Sequence, residues 1–372
     1  MAAVPQKSNP LRVPTAAHPH RDGPVPAQGT YMNPTTAWAL ETPSAEERVS
    51  PVAPIWAVVL AGGEGVRLRP LVRRLFGHER PKQYVPLLGP DSLLRQTLKR
   101  VGRVIPPERT VVVTRAEHAP YVASELPDGP APHVLLQPEE RGTGAAVLFA
   151  AHRIREWDPS ATLAFFPSDH FVLEEDTFLA HVGKVAAFVA RHPERLVLLA
   201  ARPTMPESEY GWVKPGTPVG ETTHAPVYNV QGFLEKPERE NAERCLATGW
   251  LWNTFAFVTS LPTLLNVGRE LLPAVDARLQ LIGAFAGSRH EGWAIRQAYA
   301  VIQPSDFSRG VLERKPACLA VSALPRLTWS DLGTPRRVVD VASNLLVRPA
   351  WLTAARATVA VESSLLKRRR IS

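Results

Sequence analysis

Residues 58–86 read VVLAGGEGVRLRPLVRRLFGHERPKQYVP. An apolar run ends in a glycine-rich loop, and the loop leads into clustered arginines and a Pro-Lys pair. Glycines let the backbone come close to phosphate groups with its N–H groups pointing at them. Between residues 64 and 82 six basic residues, Arg67, Arg69, Arg73, Arg74, Arg80 and Lys82, stand against Glu64 and Glu79. The segment is suited to hold a nucleoside triphosphate, with Arg67 and Lys82 supplying charge to the transferred phosphate. Two common phosphate loops are excluded. A P-loop needs G-x-x-x-x-G-K-[ST], and no Lys-Ser or Lys-Thr follows Gly65. The dinucleotide fingerprint starts at Gly63 and Gly65 but has Leu68 where its third glycine belongs.

Outward from this loop, apolar runs alternate with helical patterns. Residues 56–60, 110–114, 134–137, 162–166 and 196–200 read as strands. Residues 92–101, 117–126, 144–157 and 177–191 read as helices between them. This spacing implies βαβ units, hence an α/β fold with a mostly parallel sheet and helices on both faces. Ligands of such sheets bind beyond the carboxyl ends of the strands. The glycine loop, Gln137-Pro138 and Ser168-Asp169 each follow a strand directly and should converge on one edge of the sheet. After residue 200 the alternation weakens. Residues 202–236 carry many prolines and glycines among short apolar pieces, 262–302 is largely helical in pattern, and 318–324 is a further strand leading towards Asp331.

The 372 residues, 45% of them hydrophobic, can build one large or two medium domains. No run of 18 uncharged apolar residues occurs, so no transmembrane helix is expected. The N-terminus lacks the continuous apolar core of a signal peptide, and a cytoplasmic location is expected. Cys245 and Cys318 read as two buried thiols in a reducing compartment. Residues 1–54 hold ten of the 37 prolines without lasting apolar periodicity and read as a disordered extension. The net charge of +8 gathers on the glycine loop and on residues 346–372. The loop charge fits a polyanionic small molecule. The run KRRR at 367–370 reads as a solvated charge run, since it lacks interleaved aromatics, and no nucleic-acid or membrane partner is expected.

A second set of motifs follows downstream. L-A-G-G-x-G-x-R-L-x-P-L over residues 60–71, followed by P-K-Q, resembles the signature of sugar-1-phosphate nucleotidyltransferases. Pro81-Lys82-Gln83-Tyr84 is most similar to the P-K-Q-F of mannose-1-phosphate guanylyltransferases. Further similar segments come in the family's order. Gln137-Pro138-Glu139-Glu140-Arg141-Gly142-Thr143 resembles the segment facing the base, and Pro167-Ser168-Asp169-His170 resembles P-x-D-H. Pro206 to Gly211 resembles P-E-x-x-Y-G, and Phe233 to Pro237 resembles F-x-E-K-P. Trp252-Asn253-Thr254 resembles W-N-[ST]-G, and Trp329 to Gly333 resembles W-S-D-x-G. The resemblance covers roughly residues 55–335.

It implies a Rossmann-like sheet of the nucleotide-diphospho-sugar transferase type, with a β-rich insertion after residue 200 covering the sugar. It implies the reaction of GTP with mannose-1-phosphate to give GDP-mannose and pyrophosphate. A related hexose-1-phosphate or NTP stays open, as does a non-catalytic homologue that binds a nucleotide sugar and regulates a partner. The nucleophile is already an anion at neutral pH, so positioning and electrostatics should dominate. Arg67, Lys82 and Asp169 are the expected catalytic residues. The implied nucleotide contacts are Leu60, Ala61, Gly62, Gly63, Gly65, Gln137 and Thr143. The implied sugar-phosphate contacts are Gly211, Glu235, Lys236 and Asn253. Asp169 and Asp331 are the implied Mg2+ ligands, since magnesium prefers hard oxygens and keeps most of its waters. Three departures stand out: Gly142 replaces the usual asparagine, Phe255 the usual glycine, and Gly333-Thr334-Pro335 the usual glycine-serine-tryptophan. Residues 336–372 leave no room for the isomerase domain of some bifunctional relatives, so transferase activity alone is expected. They are expected to form a short helix and strand packing on the core or on the second subunit of a homodimer.

Overall fold

In the computed structural model the described residues are 55–352, apart from 127–128, 220–224, 315–316 and 347. The proline-rich segment 1–54 and the basic run 367–370 lie outside them. The chain runs β1 (Ile55–Leu60), α1 (Arg69–Phe76), α2 (Leu93–Val101), β2 (Thr110–Arg115), α3 (Ala119–Glu125), β3 (His133–Gln137), α4 (Gly142–Trp157), β4 (Thr162–Pro167), β5 (Phe171–Val172), α5 (Glu175–Arg191) and β6 (Leu196–Ala201). It continues as β7 (Gly211–Pro218), β8 (Val227–Glu235), α6 (Arg239–Ala247), β9 (Leu251–Ser260), α7 (Leu261–Leu271), α8 (Pro273–Ile282), α9 (Glu291–Val301), α10 (Phe307–Gly310), β10 (Leu319–Ala323), β11 (Trp329–Ser330) and α11 (Pro335–Asn344). The five strands and four helices expected before residue 200 are present, with ends shifted by one or two residues. The capping chemistry is local: the Ser92 hydroxyl accepts from the Arg95 amide to start α2, and Ser260 does the same for α7 from Thr263.

Nine strands form one sheet in the order β3-β2-β1-β4-β9-β6-β10-β8-β7. The strands β3, β2, β1 and β4 are parallel neighbours, which explains their continuous apolar runs such as IWAVVL in β1. From β1 the chain moves to β2 on one side and reaches β4 on the other. A crevice therefore opens beyond the carboxyl ends of β1 and β4. The β-rich segment expected after residue 200 is present as β7 and β8, and it extends this same sheet. β9 joins the halves: it pairs antiparallel with β4 and β6, and its first residues pair with β7.

Helices cover both faces. The helices α4, α7, α8 and α9 pack on one core cluster, with Phe149, Leu264, Leu279 and Tyr299 buried in it. The helices α5 and α6 pack on the other, through Phe178, Val182, Val189 and Cys245. A third cluster joins α1 to α11: Val338, Val339 and Ala342 pack with Leu68, Leu71 and Val72. In the segment after 335, α11 packs on the core through this cluster. Cys245 is buried, Cys318 is half-buried, and both are free thiols. Among the described residues no helix is long and apolar enough to cross a membrane.

One buried histidine sets a pH response. His181 of α5 faces Ser322 of β10, with Nε2 3.2 Å from Oγ. Burial, with a smaller push from Lys184, drives its imidazole from 6.5 down to about 4. The unfolded chain binds a proton there that the folded chain refuses. Stability from this residue is therefore fully present above pH 6.5 and is lost as pH falls towards 4. The expected loss across that window is about 3 kcal/mol. A His181→Gln variant should show a flatter urea-unfolding midpoint between pH 6.5 and 4 than the parent; equal slopes would refute the assignment.

Candidate functional site

The glycine loop is built against Pro81-Lys82-Gln83-Tyr84. Gln83 is buried, and its Nε2 donates to the carbonyls of Ala61 (2.9 Å) and Gly63 (2.7 Å). Tyr84 and Thr114 also donate to the Ala61 carbonyl, each at 3.0 Å. Burial pushes the Tyr84 phenol up to about 12, so it stays a neutral partner. Gly65 has φ +58°, and a Cβ there would stand 3.0 Å from the Lys82 amide nitrogen. Glycine is required both by the left-handed turn and by this close approach.

A cavity of about 470 Å3 lies at the carboxyl ends of the parallel strands. Leu60, Gly62 and Gly63 reach it from β1, Val113 from β2, Gln137 from β3, and Pro167, Asp169 and His170 from β4. The head of α4 supplies Gly142, Thr143 and Ala146, and Phe255 of β9 closes one wall. The convergence expected from the sequence is thus observed, and the volume is in the range of small-ligand sites. Ala61 and Gly65 are not in the lining; they shape the loop instead. The Thr143 hydroxyl accepts from the Phe307 amide at 2.8 Å, so its side chain also anchors α10.

Lys82 is almost fully buried beside the cavity. Its ammonium lies 3.2 Å from Asp169 Oδ2 and donates to the main-chain carbonyl of Asp331. His170 is kept neutral: burial outweighs the attraction of Asp169 and lowers its imidazole to about 4. Asp331 lies behind Lys82. Its Oδ1 accepts from Tyr210 Oη (2.8 Å), the Gly333 amide (2.9 Å) and Arg337 Nη1 (2.9 Å), and Oδ2 accepts from Arg337 at 3.1 Å. Burial alone would raise this carboxyl, but Arg337, with Lys82 and the Tyr210 hydroxyl, holds it below its ordinary value. Arg337 also reaches Glu207 (2.6 Å) and Glu209 (3.3 Å), and Glu209 meets Arg67 at 2.6 Å. A chain of alternating charge thus runs from Asp331 to Arg67, which is half exposed and lies outside the cavity lining.

For a magnesium ion the donor chemistry fits in kind: two aspartates flank Lys82, and Asp169 presents its carboxylate at the cavity wall. The Asp331 carboxylate has one lone-pair direction on Oδ2 beyond its bond to Arg337.

The residues expected to hold the sugar phosphate form a separate group at the start of β7, the end of β8 and the start of β9. Gly211 pairs with Glu235 in register, and a Cβ on Gly211 would stand 2.7 Å from Glu235 Oε2 and 3.2 Å from Asn253 Cβ. Lys236 pairs with Glu235 at 3.0 Å and is half exposed. These residues sit outside the cavity lining, and the last of them, Asn253, comes two positions before Phe255.

Among the described residues three non-glycines have left-handed backbone: Lys236 (φ 49°), Phe255 (φ 59°) and Leu332 (φ 48°). Each follows a predicted site residue, Glu235, Asn253 or Asp331, by one or two positions. Each such conformation costs about 1–2 kcal/mol and persists only where its surroundings impose it. Phe255 occupies the place of the usual glycine in that conformation. Its ring packs edge-on against Phe257 and Phe307, with centroids 6.2 and 6.1 Å away. Sequence reading missed Arg337, Tyr210's contact with Asp331, and Tyr299, which reaches Gln137. Arg337 lies past the last matched motif, and Tyr299 sits in a helix without any motif.

Comparison with known proteins agrees with this geometry. The family model "Nucleotidyl transferase" matches residues 56–347. The chain is 33% identical over 290 residues to the Xanthan biosynthesis protein XanB of Xanthomonas campestris pv. campestris, covering 76% of this chain and 58% of that protein. It is 32% identical over 287 residues to a mannose-1-phosphate guanylyltransferase of Sinorhizobium fredii, covering 74% and 52%. It therefore spans little more than half the length of these relatives. The crystal structure of a mannose-1-phosphate geranyltransferase from Thermus thermophilus superposes with a TM-score of 0.66 at 28% identity, over 79% of this chain and 80% of that one. A UDP-glucose pyrophosphorylase bound to UDP-glucose shares the fold at 12% identity, with a TM-score of 0.51 over 83% of this chain and 99% of that one. With the glycine loop and Asp169 lining one cavity, Lys82 beside them, and the family model spanning 56–347, the chain belongs to the nucleotidyl transferase family.

Proposed function

We propose that this chain makes GDP-mannose and pyrophosphate from GTP and mannose-1-phosphate, in the cytoplasm. The observation that carries the reading is the meeting of Lys82 and Asp169 at the cavity that the glycine loop borders. The name of the Sinorhizobium fredii relative supports mannose as the sugar and guanine as the base. The glycine loop and the head of α4 hold the nucleotide, through Leu60, Gly62, Gly63, Gln137 and Thr143, on a loop shaped by Ala61 and Gly65. Gly211, Glu235, Lys236 and Asn253 hold the hexose phosphate.

A phosphate oxygen of mannose-1-phosphate forms a bond to the α-phosphorus of GTP. The bond from that phosphorus to the β-bridging oxygen breaks, and pyrophosphate leaves with the electron pair. No proton has to move. Lys82, buried and held beside Asp169, offers its ammonium to the phosphate under attack. Arg67 leaves Glu209 to grip the departing phosphates, where its planar guanidinium binds two oxygens at once. Asp169 and Asp331 would hold Mg2+, which when bound supplies charge neutralisation to the phosphate oxygens. Phe255 and the cavity walls exclude water, which strengthens each of these interactions.

The test is pyrophosphate release with magnesium, crossing GTP, ATP, UTP and dTTP against mannose-, glucose- and fucose-1-phosphate. Release is expected with GTP and mannose-1-phosphate above the other pairs. Folded protein that releases pyrophosphate with none of them would refute catalysis and leave a nucleotide-sugar-binding role.

A further inference from the structure

Gln137 ends β3 and lines the cavity. Its Oε1 accepts a hydrogen bond at 3.0 Å from the hydroxyl of Tyr299. Tyr299 belongs to α9, is 0% exposed and packs edge-on against Phe149. Burial drives its phenol far above the ordinary range, so the hydroxyl stays protonated. Its hydrogen needs an acceptor, and among the described residues Gln137 Oε1 is the acceptor within reach. Were the amide reversed, Gln137 would present N–H groups to the tyrosine, and the tyrosine's own hydrogen would be stranded in an apolar core. The amide orientation is therefore fixed. Oε1 faces Tyr299, and Nε2 faces the glycine loop, where a Cβ on Gly62 would stand 3.3 Å from it. Gly62 lines the same cavity. The position of Tyr299 is itself pinned. Its main-chain carbonyl accepts from Arg141 Nε at 3.0 Å, which ties α9 to the head of α4.

We propose that Tyr299 is a positioning residue for base selection. It turns Gln137 into an obligate hydrogen-bond donor towards the nucleobase. A purine with a carbonyl oxygen at position 6, as in guanine, satisfies that donor. A purine with an amino group there, as in adenine, sets donor against donor. The inference rests on the reading of this cavity as the nucleotide site of a guanylyltransferase. It adds the group that gives one amide its direction.

The experiment uses the full chain and measures pyrophosphate release from GTP, ITP and ATP with mannose-1-phosphate, in wild type, Tyr299→Phe and Gln137→Glu. ITP keeps the 6-carbonyl and lacks the 2-amino group. Wild type is expected to use GTP and ITP well ahead of ATP. Tyr299→Phe preserves ring volume and releases the amide to flip. The ratio of kcat/KM for GTP over ATP should fall by about tenfold or more, mostly through KM, while kcat with GTP stays within about twofold. Gln137→Glu keeps an acceptor for Tyr299 and turns a second acceptor towards the base, so preference should move towards ATP. An unchanged ratio in Tyr299→Phe would overturn the inference while leaving the guanylyltransferase reading intact. Should Tyr299→Phe fail to fold, undiminished GTP preference in Gln137→Glu overturns it equally. Wild type that favours ATP over both GTP and ITP would instead overturn the reading beneath it.

Discussion

Asp169→Asn is expected to lower the rate of pyrophosphate release by about a thousandfold. The substitution is nearly isosteric and retains one oxygen acceptor, yet it removes a full negative charge from the wall of the cavity. Two consequences add. The site loses its cavity-facing anionic ligand for a cation, and Lys82, 3.2 Å from Asp169 Oδ2, loses the counter-charge that keeps its ammonium oriented in a nearly dry position. The fold should hold. Lys82 still donates to the main-chain carbonyl of Asp331, which limits the cost of leaving a buried ammonium without its counter-charge, about 3 kcal/mol. The paired measurement is pyrophosphate release against the thermal unfolding midpoint. A variant retaining more than about a tenth of the parent rate would remove Asp169 from the catalytic machinery.

The largest expected loss of stability comes from Gly142→Ala. Gly142 has φ +79°, and an added Cβ would stand 2.3 Å from the Ser305 carbonyl oxygen and 3.0 Å from the Ser305 nitrogen. Those atoms are backbone and are already engaged, since the Gly144 amide donates to Ser305 O and the Ser305 amide donates to Arg141 O. They have nowhere to retreat. The left-handed conformation and the overlap together should cost about 3 kcal/mol or more. The control is Gly63→Ala, in the same site. A methyl on Gly63 would have nothing within 4 Å, and the residue has no positive φ, so that change should move stability by less than about 1 kcal/mol. Urea unfolding of both variants decides the matter, and equal midpoints would show that the segment around Ser305 yields.

The parallel half of the sheet was readable because its strands are apolar on both faces and its helices repeat with the helical period. β1, β4 and β6 needed no tertiary information. The assembly after residue 200 was not readable in this way. Which neighbour β9 chooses depends on pairings with β4, β6 and β7, whose partners lie from about 40 to 100 residues away. The motifs placed Asp169 and Gln137 at one cavity, with Lys82 beside Asp169, because each follows a strand end or the loop that leaves one. They could not foresee Arg337, since its bond to Asp331 arises only when α11 folds back over α1. Nor could they foresee Tyr299, whose helix reads as an ordinary amphipathic segment. Two of the departures from the family pattern find physical reasons. Gly142 is demanded by its positive φ and by Ser305, and Phe255 is accommodated by Phe257 and Phe307 at the cost of a strained backbone.

Gln83 holds the carbonyls of Ala61 and Gly63 on the inner side of the glycine loop. In a trans peptide the carbonyl and the following N–H point in opposite directions. Fixing those two oxygens inward therefore fixes the amide hydrogens of Gly62 and Glu64 outward. The loop acquires a polarity, with oxygen inside and hydrogen outside, before any phosphate arrives. In water the same peptides would tumble, and an approaching anion would have to reorient them against solvent. Here the orienting work is finished during folding by a buried side chain outside the cavity lining. On the proposed function, Gln83 would act through time order, by making the loop's response to charge immediate.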